Sequence, residues 1–139
     1  MKIAFLDSSI LLRHILKEEG AYPHIEKFQK VYASELLRIE VLRTIDRFRI
    51  RYSWDQEEIA TRIRLLTALS AGMEFVALQS PILRRASEPF PTVVGTLDAL
   101  HIATALLTQI QTDKELLFLT HDKKQGLAAS AAGLSAEGF

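Results

Sequence analysis

Apolar residues occur along this chain in two patterns, short unbroken runs and longer stretches with helical spacing. Short runs bounded by polar residues predict buried strands, and they lie at Ile3–Leu6, Val31–Ala33, Phe75–Leu78 and Glu115–Thr120. Apolar residues three and four positions apart predict helices over Ser8–Glu19, His24–Lys30, Glu35 to about Tyr52, Gln56–Ala71, Ser80 to before Pro89, Leu97 to about Ile110, and from Asp122 to Ala132. Alternating strands and helices predict an α/β layer fold with a parallel sheet.

Polar residues at the ends of these segments predict where the helices start. Ser8, Ser34 and Thr96 are suited to cap the helices that follow them. The two long helices should face the core with Leu37, Val41, Ile45 and Phe48 from one, and Ile59, Ile63, Leu66 and Leu69 from the other. The last segment, Leu134 to Phe139, is a poor strand, which leaves open whether the sheet ends before it.

Length and composition limit the class of protein. The 139 residues predict a single domain over 1–139. No apolar run is long enough to span a membrane, and no charged-then-apolar leader opens the chain, so we expect no membrane association. The absence of cysteine fits a reducing, cytoplasmic location. Lys+Arg and Asp+Glu both total 17, which argues against nucleic-acid binding by overall charge but not against a local basic patch.

Four carboxylates occupy special positions in the predicted fold. Asp7 and Asp122 each follow a strand, so parallel strands would bring both to one sheet edge, where ligands bind in open α/β sheets. Asp98 lies in the first turn of an apolar helix, and Glu40 lies at the margin of an apolar helix face. Each one taken singly is explained as well by capping or by a local ion pair. His101, one turn after Asp98, is interpreted as an orienting or packing residue.

The combination of the four acids favours a metal site. Converging carboxylates repel one another unless a cation is present. Oxygen ligands without cysteine or histidine suit Mg²⁺ or Mn²⁺, which can activate water for phosphodiester cleavage. The sequence contains no GxxxxGK[ST] or GxGxxG phosphate-binding motif, no GxSxG motif and no HExxH motif.

Four segments of the sequence resemble the PIN-domain ribonucleases, in particular the small VapC-type toxins of prokaryotic toxin–antitoxin pairs. They are Phe5-Leu6-Asp7-Ser8-Ser9, Ser34 to Arg43, Leu97 to Ala105, and Phe118-Leu119-Thr120-His121-Asp122. The resemblance implies a three-layer α/β/α domain with a central, mainly parallel sheet. It maps the family's acidic site onto Asp7, Glu40, Asp98 and Asp122, and a family hydroxyl residue onto Thr120.

The same resemblance implies Mg²⁺- or Mn²⁺-dependent cleavage of RNA, a homodimer, and inhibition by a cognate antitoxin. Arginines are dense on the long helices, and those near Glu40 are candidates for phosphate contact. We also expect the helix pair to expose an apolar patch that binds the antitoxin. Its expected members are Ile50, Tyr52, Trp54 and Leu65.

Two alternatives stay open at this stage. An aspartyl-phosphate phosphatase would also place an aspartate after the first strand, but it needs a second acid two residues later, where this chain has Ser9. A PIN-like module that binds RNA or protein without turnover would keep the same fold. Metal titration combined with an RNA-cleavage assay separates the three hypotheses.

Overall fold

Five strands form one parallel sheet in the computed structural model, which describes residues 2–139. The strands are β1 (Ile3–Leu6), β2 (Val31–Ser34), β3 (Met73–Val76), β4 (Leu116–Leu119) and β5 (Ser135–Glu137). Their order is β3-β2-β1-β4-β5, and each neighbouring pair is parallel. The predicted α/β fold is confirmed, and the sheet extends into the last segment as β5.

Helices cover both faces of this sheet. They are α1 (Ser8–Ile15), α2 (Leu36–Arg51), α3 (Gln56–Ser70), α4 (Ser80–Ser87), α5 (Thr96–Thr112) and α6 (Lys123–Ala131). Successive residues of β1 point to opposite faces, so Ala4 and Leu6 pack with α1 to α3, whereas Ile3 and Phe5 pack with α5 and α6. The result is the three-layer α/β/α arrangement that the resemblance implied. No helix within residues 2–139 is both long and apolar enough to cross a membrane.

Some predicted boundaries were wrong, and local backbone conformation explains part of this. Helix α1 ends at Ile15 rather than Glu19, because Lys17 takes a left-handed conformation with φ of 55°. The helix predicted from His24 to Lys30 is only a 3-10 turn, Ile25–Lys27. Strand β3 begins earlier than predicted because Met73 pairs with Val31, so its extent is set by its neighbour and not by local hydrophobicity.

Helix capping also differs from the prediction. Asp7, not Ser8, caps α1, since its carboxylate accepts from the Ser9 backbone N–H. Ser34 does accept a bond of 3.2 Å from the Leu36 N–H, although α2 begins one residue later than expected. Gly95 rather than Thr96 precedes α5. Asp7 therefore combines a capping role with its position at the sheet edge.

The helical core faces were predicted with partial success. Leu37, Val41, Ile45 and Leu66 are buried as expected. Ile63, however, is 41% exposed, so the inward assignment of that residue was wrong. On the expected antitoxin patch, Ile50 and Tyr52 are exposed, whereas Trp54 and Leu65 are partly buried and pack against the core.

The side chain of Arg62 lies against the partly buried Trp54 ring. Its guanidinium is buried and donates to the Ile15 carbonyl at 2.5 Å and to the Glu58 carboxylate at 2.5 Å. It also lies 4.9 Å from the centre of the Trp54 ring. Arg62 thus satisfies a carbonyl at the end of α1 and ties α1 to α3, which makes it a structural arginine rather than a candidate RNA ligand.

We expect Arg62→Ala to lower the free energy of unfolding by about 2 kcal/mol or more, because the Ile15 carbonyl loses its charged donor and Trp54 loses its cation partner. The matched control is Arg64→Ala on the same helix, since Arg64 is exposed and, within residues 2–139, bonds only Thr61. That control should change stability by about 0.5 kcal/mol or less. Urea unfolding measures both, and equal effects would contradict the structural role of Arg62.

Candidate active site

Asp7 and Asp122 follow adjacent strands of the sheet. Leu6 of β1 pairs with Leu119 of β4, and the Asp7 N–H donates to the Leu119 carbonyl at 3.0 Å. The strand order also reverses here, because the chain runs from β1 outward to β3 and then returns to β4 on the other side. A reversal of this kind leaves a crevice beyond the carboxyl ends of the strands, where α/β proteins bind ligands.

The Asp7 carboxylate is buried and held by a network of neutral donors. Its Oδ2 accepts from the Ser9 hydroxyl at 2.6 Å and the Thr120 hydroxyl at 3.0 Å. The Gln125 amide is oriented so that both its oxygen and its nitrogen have hydrogen-bond partners, and its nitrogen then lies 2.9 Å from Asp7 Oδ2. Oδ1 has weaker contacts, with Ser8 at 3.5 Å and Gln125 at 3.2 Å. Oδ1 is therefore the oxygen better placed to accept an additional ligand.

Thr120 joins Asp7 to the loop that carries Asp122. Its hydroxyl oxygen accepts from the Asp122 N–H at 3.0 Å, while its proton is available to Asp7. Asp122 is exposed and caps α6 through a bond of 3.2 Å from the Gln125 N–H. The two strand-end aspartates are thus fixed relative to each other by one buried threonine.

His121 fastens the same loop to two other parts of the chain. Its Nε2 accepts from the Tyr22 N–H at 3.3 Å, so Nδ1 carries the proton that is donated to the Gly138 carbonyl at 2.8 Å. Gly138 has a φ of 103° and passes so close to the Thr120 carbonyl that a Cβ there would lie 2.6 Å from it. This position therefore requires glycine.

Glu40 is held by a fully buried histidine. His101 Nε2 hydrogen bonds Glu40 Oε1, and His101 Nδ1 has no partner among the described residues. Burial alone would lower the pKa of His101, but the hydrogen bond and charge of Glu40, together with the charges of Asp7 and Asp98, raise it. The interpretation of His101 as an orienting residue agrees with this geometry.

The carboxylates of Asp7, Glu40 and Asp122 each have a hydrogen-bond partner. The Asp98 carboxylate has none among residues 2–139. Burial raises the pKa of its carboxyl, and so do the negative charges of Asp7, Asp122 and Glu40, while His101 opposes them. All three other predicted acids therefore act on Asp98 electrostatically. The structure brings the four carboxylates into one region, and His101 offsets their negative charge only in part.

The ligand chemistry at this site fits a hard cation, since its four acids offer carboxylate oxygens and His101 Nε2 is already bound to Glu40. Within residues 2–139, however, no three His, Cys, Asp or Glu side chains form a group arranged to hold a metal ion. Mg²⁺ commonly keeps several waters and needs only one or two carboxylates, so the residues present are compatible with it.

Sequence reasoning missed three contributors to the site, namely Gln125, His121 and the pairing of Glu40 with His101. Gln125 offered a usable signal, since a glutamine three residues after a capping aspartate faces back toward the helix start. The pairing of Glu40 with His101 joins two helices that are 61 positions apart in sequence. Periodicity within either helix could not reveal it.

An acidic crevice at the reversal point of a parallel α/β/α sheet defines the class of this domain. The chain belongs to the PIN domain family, whose model matches residues 4–130. It is similar in fold to the crystal structure of VapBC2 from Rickettsia felis bound to a DNA fragment from their promoter. The TM-score is 0.67 at 14% identity, covering 97% of this chain and 97% of that chain. No curated protein matches the sequence.

The charge on Asp98 should make the metal-free protein less stable at neutral pH. The pKa of Asp98 in the folded protein lies above the ordinary value of 3.8, so protonation of Asp98 stabilises the fold. This stabilisation is complete below pH 3.8 and is lost as the pH rises through the pKa of the folded protein. Asp98→Asn should therefore raise the free energy of unfolding at pH 7, by about 1 kcal/mol at most for this partly exposed group. The gain should shrink as pH falls toward 3.8.

Asp46→Asn provides a control of opposite sign. Arg49 lowers the pKa of Asp46, so Asp46 contributes stability above pH 3.8 that is lost as pH falls. Urea unfolding in a chelator, repeated across pH, measures both variants. An Asp98→Asn gain that does not depend on pH would show that the carboxylates do not interact.

Proposed function

We propose that this chain is a metal-dependent endoribonuclease that cleaves RNA phosphodiester bonds, and that it is the toxin of a type II toxin–antitoxin pair. Membership of the PIN domain family supports the general class. The observation that carries the proposal is the position of Asp7 and Asp122 at adjacent strand ends, joined by the Thr120 hydroxyl. Their negative charges and that of Glu40 act on Asp98. A protein gains nothing in stability from such repulsion, which favours a functional reason for it.

The roles of the four acids follow from their surroundings. Asp7 Oδ1, Asp98 and Glu40 would hold Mg²⁺ or Mn²⁺ directly or through water. When bound, the metal would lower the pKa of an attacking water and neutralise charge on the scissile phosphate. Asp122 is exposed at the mouth of the site, where it can complete the ligand set or orient that water. His101 and Thr120 act indirectly, by fixing Glu40 and Asp7.

A binding module without turnover is the second candidate. One observation favours it, since residues 2–139 present no group of three ligands arranged for a metal. A module of this kind would bind RNA or a protein partner, and its affinity would not depend on Mg²⁺ or Mn²⁺. The cleavage and metal experiments below distinguish it from the nuclease.

A cognate antitoxin is the protein partner that we propose for this chain. The solved structure named above is a VapBC2 assembly, and likeness to it supports a cognate antitoxin for this chain. The exposed side chains of Ile50 and Tyr52, 69% and 56% accessible, are the members of the expected apolar patch that stay available to such a partner. We also propose a homodimer that acts in the cytoplasm, as the resemblance implies.

Asp98→Asn should abolish RNA cleavage while the protein stays folded, because it removes the one site carboxylate that receives no hydrogen bond from the described residues. Cleavage of single-stranded RNA in Mg²⁺ or Mn²⁺, followed on a denaturing gel, is the measurement. Asp113→Asn is the matched control, since Asp113 lies at the far end of the same helix, and it should cut at the parent rate. Parent-rate cleavage by Asp98→Asn would remove Asp98 from the site.

Millimolar Mg²⁺ or Mn²⁺ should raise the melting temperature, because a ligand that binds only the folded state stabilises it, by about 2.7 kcal/mol at a hundred times Kd. Asp7→Asn should reduce this shift strongly, whereas Asp113→Asn, at the far end of α5 from Asp98, should keep it. An equal shift in all three proteins would indicate nonspecific ion effects. A parent protein that cuts no RNA and shows no shift would favour the binding module.

A further inference from the structure

A cleft between α1 and α2 opens directly onto the candidate site. It has a volume of about 460 Å³ and is lined at one end by Ser9 and Asp122 and further along by Arg13 and Arg47. A second cleft of about 300 Å³ opens onto Ser8 and Glu40. Arg47 lines both clefts, so it lies where the approaches to Asp122 and to Glu40 meet.

Arg13 and Arg47 carry charges that no carboxylate among residues 2–139 neutralises. Arg13 donates only to the Gly20 carbonyl at 3.4 Å, and Arg47 only to the Thr44 hydroxyl at 3.3 Å. Arg43, in the second cleft, is by contrast paired with Asp46 at 3.3 Å. Of the three arginines that line the two clefts, Arg13 and Arg47 are thus the ones free to bind an outside anion.

A polyanion is the occupant that these charges fit. The acidic site itself repels phosphate, so a nucleic acid could approach it only where positive charge compensates beside it. Guanidinium groups also match phosphate geometry with two parallel donors. Phe48, on the wall of the first cleft, adds an aromatic side chain of the kind on which unpaired bases stack. Glu18 lines the same cleft, and its negative charge would repel an acidic peptide as much as RNA. Glu18 therefore does not distinguish between these two polyanions.

We propose that the cleft between α1 and α2 binds the phosphate backbone of single-stranded RNA, with Arg47 and Arg13 as the phosphate ligands that guide the strand into the acidic site. This inference rests on the proposed function, since it deepens the same site. From Ser9 to Leu16 the cleft follows α1 for about 10 Å, long enough for a short stretch of strand. Base identity is not read here, because phosphate contacts position a strand without specifying its sequence.

The test measures binding of a fluorescent single-stranded RNA by anisotropy, in a chelator so that the strand stays intact. Each phosphate contact should contribute about 0.7 to the slope of log affinity against log salt concentration for a single strand. Arg47→Gln and Arg13→Gln should each reduce the slope by about 0.7, and the double variant by about 1.4. Affinity at low salt should fall in the same order.

Arg64→Gln is the matched control. Arg64 is exposed on a long helix and donates to a threonine hydroxyl three residues earlier at 3.3 Å, as Arg47 does, but it lies on α3 and lines neither cleft. It should keep the parent slope. Circular dichroism and melting temperature should be unchanged in all of these variants, since each replaced guanidinium makes only one weak bond.

The outcomes separate this inference from the proposed function. If the parent cuts RNA and Asp98→Asn does not, yet Arg13 and Arg47 variants keep the parent slope and KM, the nuclease stands and the cleft assignment is wrong. The assignment also fails if Arg64→Gln lowers the slope equally, or if Arg47→Gln weakens only binding of a purified protein partner. A parent protein that neither binds nor cuts RNA overturns both proposals.

Discussion

The parallel pairing of β1 with β4 is the constraint from which the site follows. Leu6 and Leu119 are paired, so the residues that leave these strands, Asp7 and Thr120, must emerge side by side. One hydroxyl then connects the two strand ends and orders the Asp122 loop. Antiparallel pairing of the same segments would send Asp122 to the opposite edge, and no acid cluster would form.

Electrostatic repulsion is the cost of this arrangement, and among residues 2–139 no lysine or arginine forms an ion pair with the four acids, only His101 with Glu40. Hydroxyl, amide and backbone groups hold Asp7, and the His101 imidazole holds Glu40. These partners fix the geometry of the carboxylates and offset their charges only in part. The negative charges of the other three acids raise the pKa of Asp98, although His101 lowers it. A lysine or arginine in their place would stabilise the fold but would compete with a metal for the same oxygens.

The sequence allowed the alternation of strands and helices and the parallel sheet to be predicted, because strand ends and helix phases are local properties, whereas the three-layer order was implied by the family resemblance. Contacts between distant residues were beyond it. The Glu40 pairing with His101, the bond from His121 to Gly138 and the start of β3 at Met73 all depend on partners elsewhere in the chain. Trp54 was misplaced for the same reason, since it packs against the core and against Arg62 of the next helix.

The zero net charge of this chain shows why arginines must be assigned by their partners and not by their number. Arg62 is used in packing, while Arg43 and Arg49 are both held by Asp46. Counting arginines in the sequence would treat all of these as one basic surface, although the carboxylates paired with them largely cancel their electrostatic fields within a few ångströms. The field that an approaching phosphate would meet is set instead by the few guanidinium groups left uncompensated. Because Arg13 and Arg47 lie beside the acidic site, one cleft contains groups that attract a phosphate and groups that repel it. Such a pattern can orient a polyanion even when the overall charge is zero.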